Sequence, residues 1–144
     1  MQIFEVKVKV VDDAILPTYQ TDGSSGLDLT SYEDGLIDAF DVKLVRTGLF
    51  LELPFGLEGQ VRTRSGLALK NRVVVLNSPG TIDSDYRGEI KLILMNLSKD
   101  QFNYKKGDRL AQIVFSQVAK VQLKVVEDIS YTARGEGGFG HTGI

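Results

Sequence analysis

The sequence predicts a single all-β domain: a sandwich, jelly roll or barrel with one short helix. Three observations support this class. Apolar runs of strand length recur along the chain, clusters of glycine, proline, asparagine and aspartate separate them, and only one short window suits a helix. The length of 144 residues and the hydrophobic fraction of 42% are sufficient for one domain with its own core.

The first predicted strand is residues 4–10, where apolar and polar residues alternate strictly, as in a strand with one buried face. The later predicted strands are residues 48–53, 58–63, 72–76, 89–97, 110–118 and 122–126. Turn sequences fall between them, among them Pro54 to Gly56, Asn77 to Gly80 and Lys106 to Asp108. The one predicted helix covers residues 66–71. Residues 90–97 are apolar on both faces for much of their length, which fits either a central core strand or a strand covered by another subunit.

Composition limits the possible functions. The net charge of −2 argues against a general nucleic-acid-binding surface, and no apolar run is long enough to span a membrane. The chain has no cysteine and one histidine, His141, so any metal would be a hard cation such as Mg²⁺ bound by oxygen atoms. We therefore expect a soluble cytoplasmic protein that binds neither nucleic acid stably nor membranes.

Two short stretches look unlike scaffold, and the second of them suits a phosphate. Ser25 to Leu29 places Asp28 in an apolar setting, and Arg64-Ser65-Gly66 stands at the start of the predicted helix. Backbone N–H groups at a helix start, beside a hydroxyl and a guanidinium, suit a phosphate. Ser65 as an ordinary N-cap is the alternative interpretation, and for this stretch alone it is the better one.

Three further stretches carry polar residues in unusual places. Asn77 to Gly88 is read as a hairpin with two carboxylates and a tyrosine at its tip, although its residues also favour turns. Gly107 to Gln112 brings Arg109 and Gln112 into an apolar strand, where buried hydrogen bonds or ion pairs are the simplest explanation. The C-terminal stretch RGEGGFGHTG is half glycine and is either a disordered end or a segment that becomes ordered over a ligand.

Taken together and in this order, the five stretches resemble the five motifs of the homotrimeric dUTPase family, from about residue 24 to Gly143. The resemblance implies a jelly roll that assembles as a homotrimer with shared active sites and hydrolyses dUTP to dUMP and pyrophosphate, with Mg²⁺ bound to the triphosphate. It divides the chain into a β domain, residues 1–132, and an arm, residues 133–144.

The resemblance also assigns roles to residues. Asp83 would orient and activate the attacking water, and Asp28 would lie near the metal, with an indirect contact. Uracil would be recognised by the hairpin backbone, Phe139 of the arm would stack on the base, and Tyr86 would pack on the sugar where a 2′-hydroxyl would clash. The phosphate-binding residues would be Arg64, Ser65, Gly66, Gln112 and Arg134, and the uracil pocket would be lined by Asn77, Thr81, Ile82 and main chain near Lys91.

Two other functions remain possible from the sequence. A dCTP deaminase, or a bifunctional deaminase-dUTPase, has the same fold but should carry a different set of acids and arginines around the second and third motifs. A nucleotide-binding regulatory trimer without catalysis is an alternative of another class, and the intact Asp83 and arm argue against it.

Overall fold

The computed structural model describes residues 1–144 and contains ten strands and one helix. In chain order the elements are β1 (Lys7–Val10), β2 (Leu27–Thr30), β3 (Gly35–Ile37), β4 (Val42–Glu52), β5 (Leu57–Arg62), α1 (Ser65–Asn71), β6 (Val73–Val75), β7 (Gly80–Ile82), β8 (Glu89–Asn96), β9 (Phe102–Tyr104) and β10 (Arg109–Gln117). None of its helical segments has the length and apolar character needed to cross a bilayer.

Two four-stranded antiparallel sheets make up the body of the molecule, in the orders β1-β4-β8-β6 and β2-β10-β5-β7. A small third sheet pairs β3 with β9. The inward side chains of both large sheets form one hydrophobic core of 16 buried residues, which includes Leu29, Val61, Leu92 and Ile113. This is a jelly-roll-like β-sandwich, as the sequence predicts.

Strand β8 has two apolar faces, but only one of them is fully covered. Ile90, Leu92 and Leu94 are buried in the core, whereas Ile93 and Met95 on the opposite face are half-buried. The second face is covered only in part, by residues 81–86 beside Ile93. Burial inside the single chain therefore does not explain why both faces are apolar.

The β4–β8 pairing is irregular between Arg46 and Phe50. Gly48 lies in this irregularity with a φ of 72°, a left-handed conformation that glycine adopts without a Cβ penalty. Added to Gly48, a Cβ would also come within 2.7 Å of Ala14. Both the backbone conformation and the limited space therefore require glycine at position 48. The resulting bulge lies directly beside the start of β8.

Helix α1 begins at Ser65, one residue earlier than predicted, with Arg64 as the N-cap. Ser65 as an N-cap is therefore wrong, and the Arg64 side chain does not cap the helix either. No residue of this helix is fully buried. Leu67 is partly buried and packs against the core, so the helix is attached by limited apolar contact.

The strands predicted from apolar runs are confirmed with shifted ends, with one exception. Residues 122–126 form no strand, because no other backbone lies alongside them to pair with, and Leu123 and Val125 remain 89% and 96% exposed. The first strand is shorter than predicted and lies at a sheet edge, where Val8 and Val10 stay exposed. Four short strands, β2, β3, β7 and β9, and the first half of β4 were not among the predicted strands.

Candidate active site

The segment that links β7 to β8 presents the predicted catalytic carboxylate on a tight turn. The prediction of a paired β-hairpin here is wrong, because β7 pairs with β5 whereas β8 pairs with β4 and β6 in the other large sheet. Because of its tight turn, we call the connecting segment of residues 80–89 the hairpin. The N–H of Tyr86 donates to the carbonyl of Asp83 at 3.1 Å, which closes the turn. Arg87 donates to the carbonyls of Ser84 and Tyr86 at 2.7 and 3.1 Å. These bonds leave the Asp83 side chain exposed at the tip, available to a ligand.

A cavity of about 330 Å³ lies between this hairpin and the outer face of β8. Five of the residues predicted for the site line it, and Leu44, Glu89 and Ile93 complete the lining. The five predicted residues are Thr81, Ile82, Asp83, Tyr86 and Lys91. Of the three that the sequence did not single out, Leu44 and Ile93 lie opposite each other on paired strands, so the two-faced apolar pattern of β8 was the available signal for them.

Tyr86 is held against the hairpin by its own hydroxyl, which donates to the carbonyl of Glu89 at 2.9 Å. Its ring lies against Gly88, where an added Cβ would clash with the Tyr86 hydroxyl oxygen. The Tyr86 ring can therefore lie here only if residue 88 is a glycine. The ring edge remains partly exposed toward the cavity.

Glu89 forms the strongest ion pair in this region. Arg46 donates through Nε and a terminal nitrogen to the two Glu89 carboxylate oxygens at 2.9 to 3.2 Å, and the Glu89 side chain is only 8% exposed. The hydrogen bond from Arg46 lowers the pKa of Glu89, with help from its charge, the Gly48 N–H and Lys91, while burial opposes the shift. The same bond raises the pKa of Arg46. Glu89 is therefore ionised at neutral pH.

A second polar cluster lies at the start of helix α1. Asp28 is bound by two arginines: Arg64 Nε lies 3.2 Å from one carboxylate oxygen, and an Arg109 terminal nitrogen lies 3.3 Å from the other. Arg64 also donates to the backbone carbonyl of Arg109 at 3.0 Å. Ser65 and Gly66 are exposed beside this cluster, with open space around Gly66. The cluster contains two guanidinium groups and one carboxylate, so it carries a net charge of about +1 that suits an anionic ligand.

Gln112 joins the same cluster from strand β10. It stands opposite Asp28 on one neighbouring strand and Arg62 on the other, and its Nε2 donates to the carbonyl of Thr63 at 3.1 Å. Gly26 leaves room for its side chain, since an added Cβ there would lie 2.5 Å from Gln112 Oε1. The structure thus brings Asp28, Arg64 and Gln112 together.

Asn77 lies in the loop that leads into the hairpin. Its side chain packs over Gly80, where an added Cβ would lie 3.0 Å from the Asn77 Nδ2. The next residue, Ser78, accepts a hydrogen bond from the Thr63 N–H at 3.4 Å. This loop therefore connects to the backbone just before Arg64.

No hydrogen bond or ion pair joins Asp83 or Tyr86 to the Asp28 cluster.

The hydrogen bonds of the C-terminal arm stay within the arm and the adjoining Thr132. Arg134 donates to the carbonyl of Gly137 at 2.7 Å, and successive turns follow along the glycine-rich stretch. Phe139 is fully exposed. No hydrogen bond links residues 119–144 to the rest of the chain. The structure therefore does not bring Arg134 and Phe139 to the cavity of their own chain.

Comparison with known proteins agrees with this geometry. The family model described as dUTPase matches residues 12–143. The deoxyuridine 5′-triphosphate nucleotidohydrolase of Helicobacter pylori (strain ATCC 700392 / 26695) is 53% identical over 136 residues, 94% of each chain. The equally named protein of Crocosphaera subtropica is 51% identical over the full length of both chains. The chain belongs to the dUTPase family.

Solved structures of dUTPases share the fold. The dUTPase of Staphylococcus bacteriophage 80alpha, solved with dUPNHPP, superposes with a TM-score of 0.86 at 26% identity and covers 97% of this chain and 99% of its own. The dUTPase of phage phi11 of S. aureus, in a mutant that revealed the coordination of a structural Mg(II) ion, gives a TM-score of 0.82 at 21% identity, over 89% of this chain and all of its own. The second similarity concerns the fold alone.

The side chains of this dUTPase-family chain do not by themselves form a metal centre. Nowhere do three or more histidine, aspartate or glutamate side chains gather as metal ligands would. Both carboxylate oxygens of Asp28 already face arginines. This donor set fits a cation whose ligands come mainly from a bound triphosphate, with Asp28 at most in indirect contact.

Proposed function

We propose that this protein hydrolyses dUTP to dUMP and pyrophosphate, which keeps uracil out of DNA and supplies dUMP for dTTP synthesis. Membership of the dUTPase family supports the reaction. The observation that carries the proposal is the cavity in which Thr81, Ile82, Asp83, Tyr86 and Lys91 meet. The absence of cysteine fits work in the reducing cytoplasm.

Asp83 acts as the general base. Its exposed carboxylate accepts a proton from a water molecule, whose oxygen attacks the α-phosphorus. The bond from the α-phosphorus to the bridging oxygen breaks, and pyrophosphate leaves. The reaction requires charge stabilisation more than covalent chemistry, and the residues that supply it are Arg64, Ser65, Gly66, Gln112 and Arg134.

Selection of uracil depends on the hairpin. The hairpin backbone and the Asn77 side chain present a fixed set of donors and acceptors to the uracil edge, and Thr81, Ile82 and main chain near Lys91 line the narrow pocket around it. Thymine carries a methyl group that does not fit, and cytosine leaves buried polar groups without partners, which is costly. Tyr86 packs against the sugar and excludes a 2′-hydroxyl.

The protein works as a homotrimer with shared active sites. An apolar strip on the outer face of the β4-β8-β6 sheet supports this assembly, because large apolar patches on a monomer are typical of interfaces. Paired residues align across the strip: Val42 with Met95 and Val74, and Leu44 with Ile93. Val42 and Leu44 are 45% and 55% exposed in the single chain.

The arm over each site comes from a different chain than the one supplying Asp83. Residues 118–131 place apolar side chains in solvent, which is unfavourable unless a second chain covers them. They are Val118, Val121, Leu123, Val125, Val126, Ile129 and Tyr131. Beyond them, Phe139 stacks on uracil and Arg134 reaches the phosphates. We keep residues 1–132 as the β domain and residues 133–144 as the arm.

Mg²⁺ is the proposed cofactor and binds mainly to the triphosphate, with Asp28 as an indirect contact. When bound, it neutralises phosphate charge that the arginines alone do not balance. Asp28 holds Arg64 and Arg109 in position, so it also orients the cationic side of the phosphate site.

The test is pyrophosphate release from each deoxynucleoside triphosphate and from UTP, with ammonia measured from dCTP. We expect release from dUTP alone. Ammonia from dCTP would instead establish a deaminase, and nucleotide binding without any product would establish a regulatory protein.

A further inference from the structure

The Arg46–Glu89 ion pair lies beside the cavity but has no role in the reaction described above. A charged side chain this well buried is expensive, and replacement of both partners by apolar residues often stabilises a protein. Here Arg46 donates to both carboxylate oxygens of Glu89 at 2.9 to 3.2 Å. Such an arrangement fixes geometry.

Arg46 is itself fixed from its other side. Its guanidinium lies 4.9 Å from the ring centre of Tyr32, a distance suited to a cation–π contact. The Tyr32 hydroxyl donates to the carbonyl of Asp12 at 2.9 Å, and the Tyr32 N–H donates to the Arg46 carbonyl at 2.8 Å. The guanidinium therefore has little freedom to move.

The ion pair adds a side-chain connection where the β4–β8 pairing is irregular. Regular pairing between β4 and β8 runs as far as Arg46 and Lys91, then skips to Phe50 and Glu89. The ion pair joins the strands at this interruption. Together with the Phe50–Glu89 pairing and the hydrogen bond from the Thr47 hydroxyl to the Ile90 carbonyl, it fixes the Glu89 backbone at the point where the hairpin ends.

The Glu89 backbone in turn holds the sugar-facing ring. Its carbonyl accepts the hydrogen bond of the Tyr86 hydroxyl at 2.9 Å, and Gly88 lets the ring lie close to the chain. A continuous series of contacts thus runs from Tyr32 through Arg46 and Glu89 to Tyr86. A shift of Glu89 would move the ring away from the space that a 2′-hydroxyl would occupy.

We propose that Arg46 and Glu89 are positioning residues that hold Tyr86 in place and so determine the discrimination against ribonucleotides. This inference rests on the proposed dUTPase function, because it assigns Tyr86 to the sugar. Arg46 and Glu89 touch no reacting atom. They affect which sugar the site accepts, rather than the rate of the chemical step.

The experiment measures kcat and KM for dUTP and for UTP in the full-length wild type and in Arg46→Met, Tyr86→Phe and the double variant. We expect the ratio of kcat/KM for dUTP to that for UTP to fall about tenfold in Arg46→Met, the effect of losing a charge-assisted hydrogen bond. Because Arg46 acts through Tyr86, the double variant should be no worse than the stronger single one. Arg46→Lys, which keeps the charge without the bidentate fork, should lie between wild type and Arg46→Met.

The matched control is Lys7→Gln, which removes the ion pair between Lys7 of β1 and Glu52 of β4. Both side chains are exposed, at 72% and 50%. It should leave the dUTP:UTP ratio unchanged. An equal loss of kcat/KM for both nucleotides in Arg46→Met, or additive effects in the double variant, would overturn the proposal.

Hydrogen exchange separates this inference from the proposed function. In the free protein, backbone amides of residues 84–89 should exchange faster in Arg46→Met than in Lys7→Gln. If the wild type hydrolyses no dUTP, the proposed function fails, whereas unchanged exchange in Arg46→Met contradicts the positioning role whatever the substrate is.

Discussion

The hairpin of residues 80–89 and the C-terminal residues 119–144 differ in how they are held. The hairpin pairs with β5 on one side, continues into the buried strand β8 on the other, and has bonds from Arg46, Arg87 and Tyr86 that fix its turn. The C-terminal residues have no hydrogen bond to the rest of their own chain.

This difference separates the parts of the site that one chain can form from the parts that it cannot. The single chain forms the base-binding hairpin and the Asp28 cluster, each from neighbouring strands. It leaves Phe139 of the arm exposed and the apolar outer face of β8 only half-buried. This contrast is the basis of the proposal that a second chain completes the site, and each of the two regions can be tested by itself.

The largest expected effect comes from the hairpin. Asp83→Asn removes the carboxylate that accepts the water proton, so kcat for dUTP should fall by about two to four orders of magnitude. Binding of a non-hydrolysable dUTP analogue, measured by calorimetry, should change little. Asp85→Asn, an exposed carboxylate of the same turn, is the control and should retain most of the turnover. Near-normal turnover of Asp83→Asn would reject the assigned role.

Removal of residues 133–144 tests the other region. These residues contribute nothing to the core, so the shortened protein should keep its thermal unfolding temperature and its elution position in gel filtration. Turnover should fall about a hundredfold or more, because phosphate contacts that stabilise the transition state are lost. A sharp drop in unfolding temperature together with dissociation would make the arm a structural element instead of a lid.

The smallest expected effect concerns acid stability at the base of the hairpin. Because Arg46 lowers the pKa of Glu89 below its usual 4.5, the ion pair stabilises the fold above about pH 4.5 and loses this contribution as the pH falls through the lower, folded-state pKa. The difference in unfolding temperature between wild type and Glu89→Gln should therefore be constant near neutrality and shrink below pH 4.5. An unchanged difference down to strongly acidic pH would contradict the ion pair.

Apolar periodicity predicted the long strands of the core but not the shortest ones, although Ile37 of β3 and Tyr104 of β9 also lie in the core. Strands β5, β8 and β10 have inward residues of sufficient number to give a pattern. Strands β3, β7 and β9 have three residues each, too few for a period of two to stand out. Residues 122–126 have the pattern of a strand without a partner in the chain, which is why that prediction was wrong for the single chain.

The motifs predicted most of the candidate site, because their residues lie on loops and strand ends where turn chemistry limits the sequence. The motifs did not predict that Leu44 lines the cavity or that Arg46 and Glu89 form an ion pair beside it. Leu44 and Arg46 belong to β4, far from the hairpin in sequence, and reach it only through strand pairing. Contacts between distant strands leave no local signal in the sequence.

The measurement that tests the shared site most directly uses two inactive proteins, Asp83→Asn and the form lacking residues 133–144. They are unfolded together, refolded as mixed trimers, and assayed with dUTP after gel filtration has shown that mixed trimers formed. If Asp83 and the arm of one site come from different chains, random mixing restores both parts in roughly a quarter of the sites, and activity reaches about a quarter of wild type. Mixed trimers with no more activity than either parent would contradict a site shared between chains.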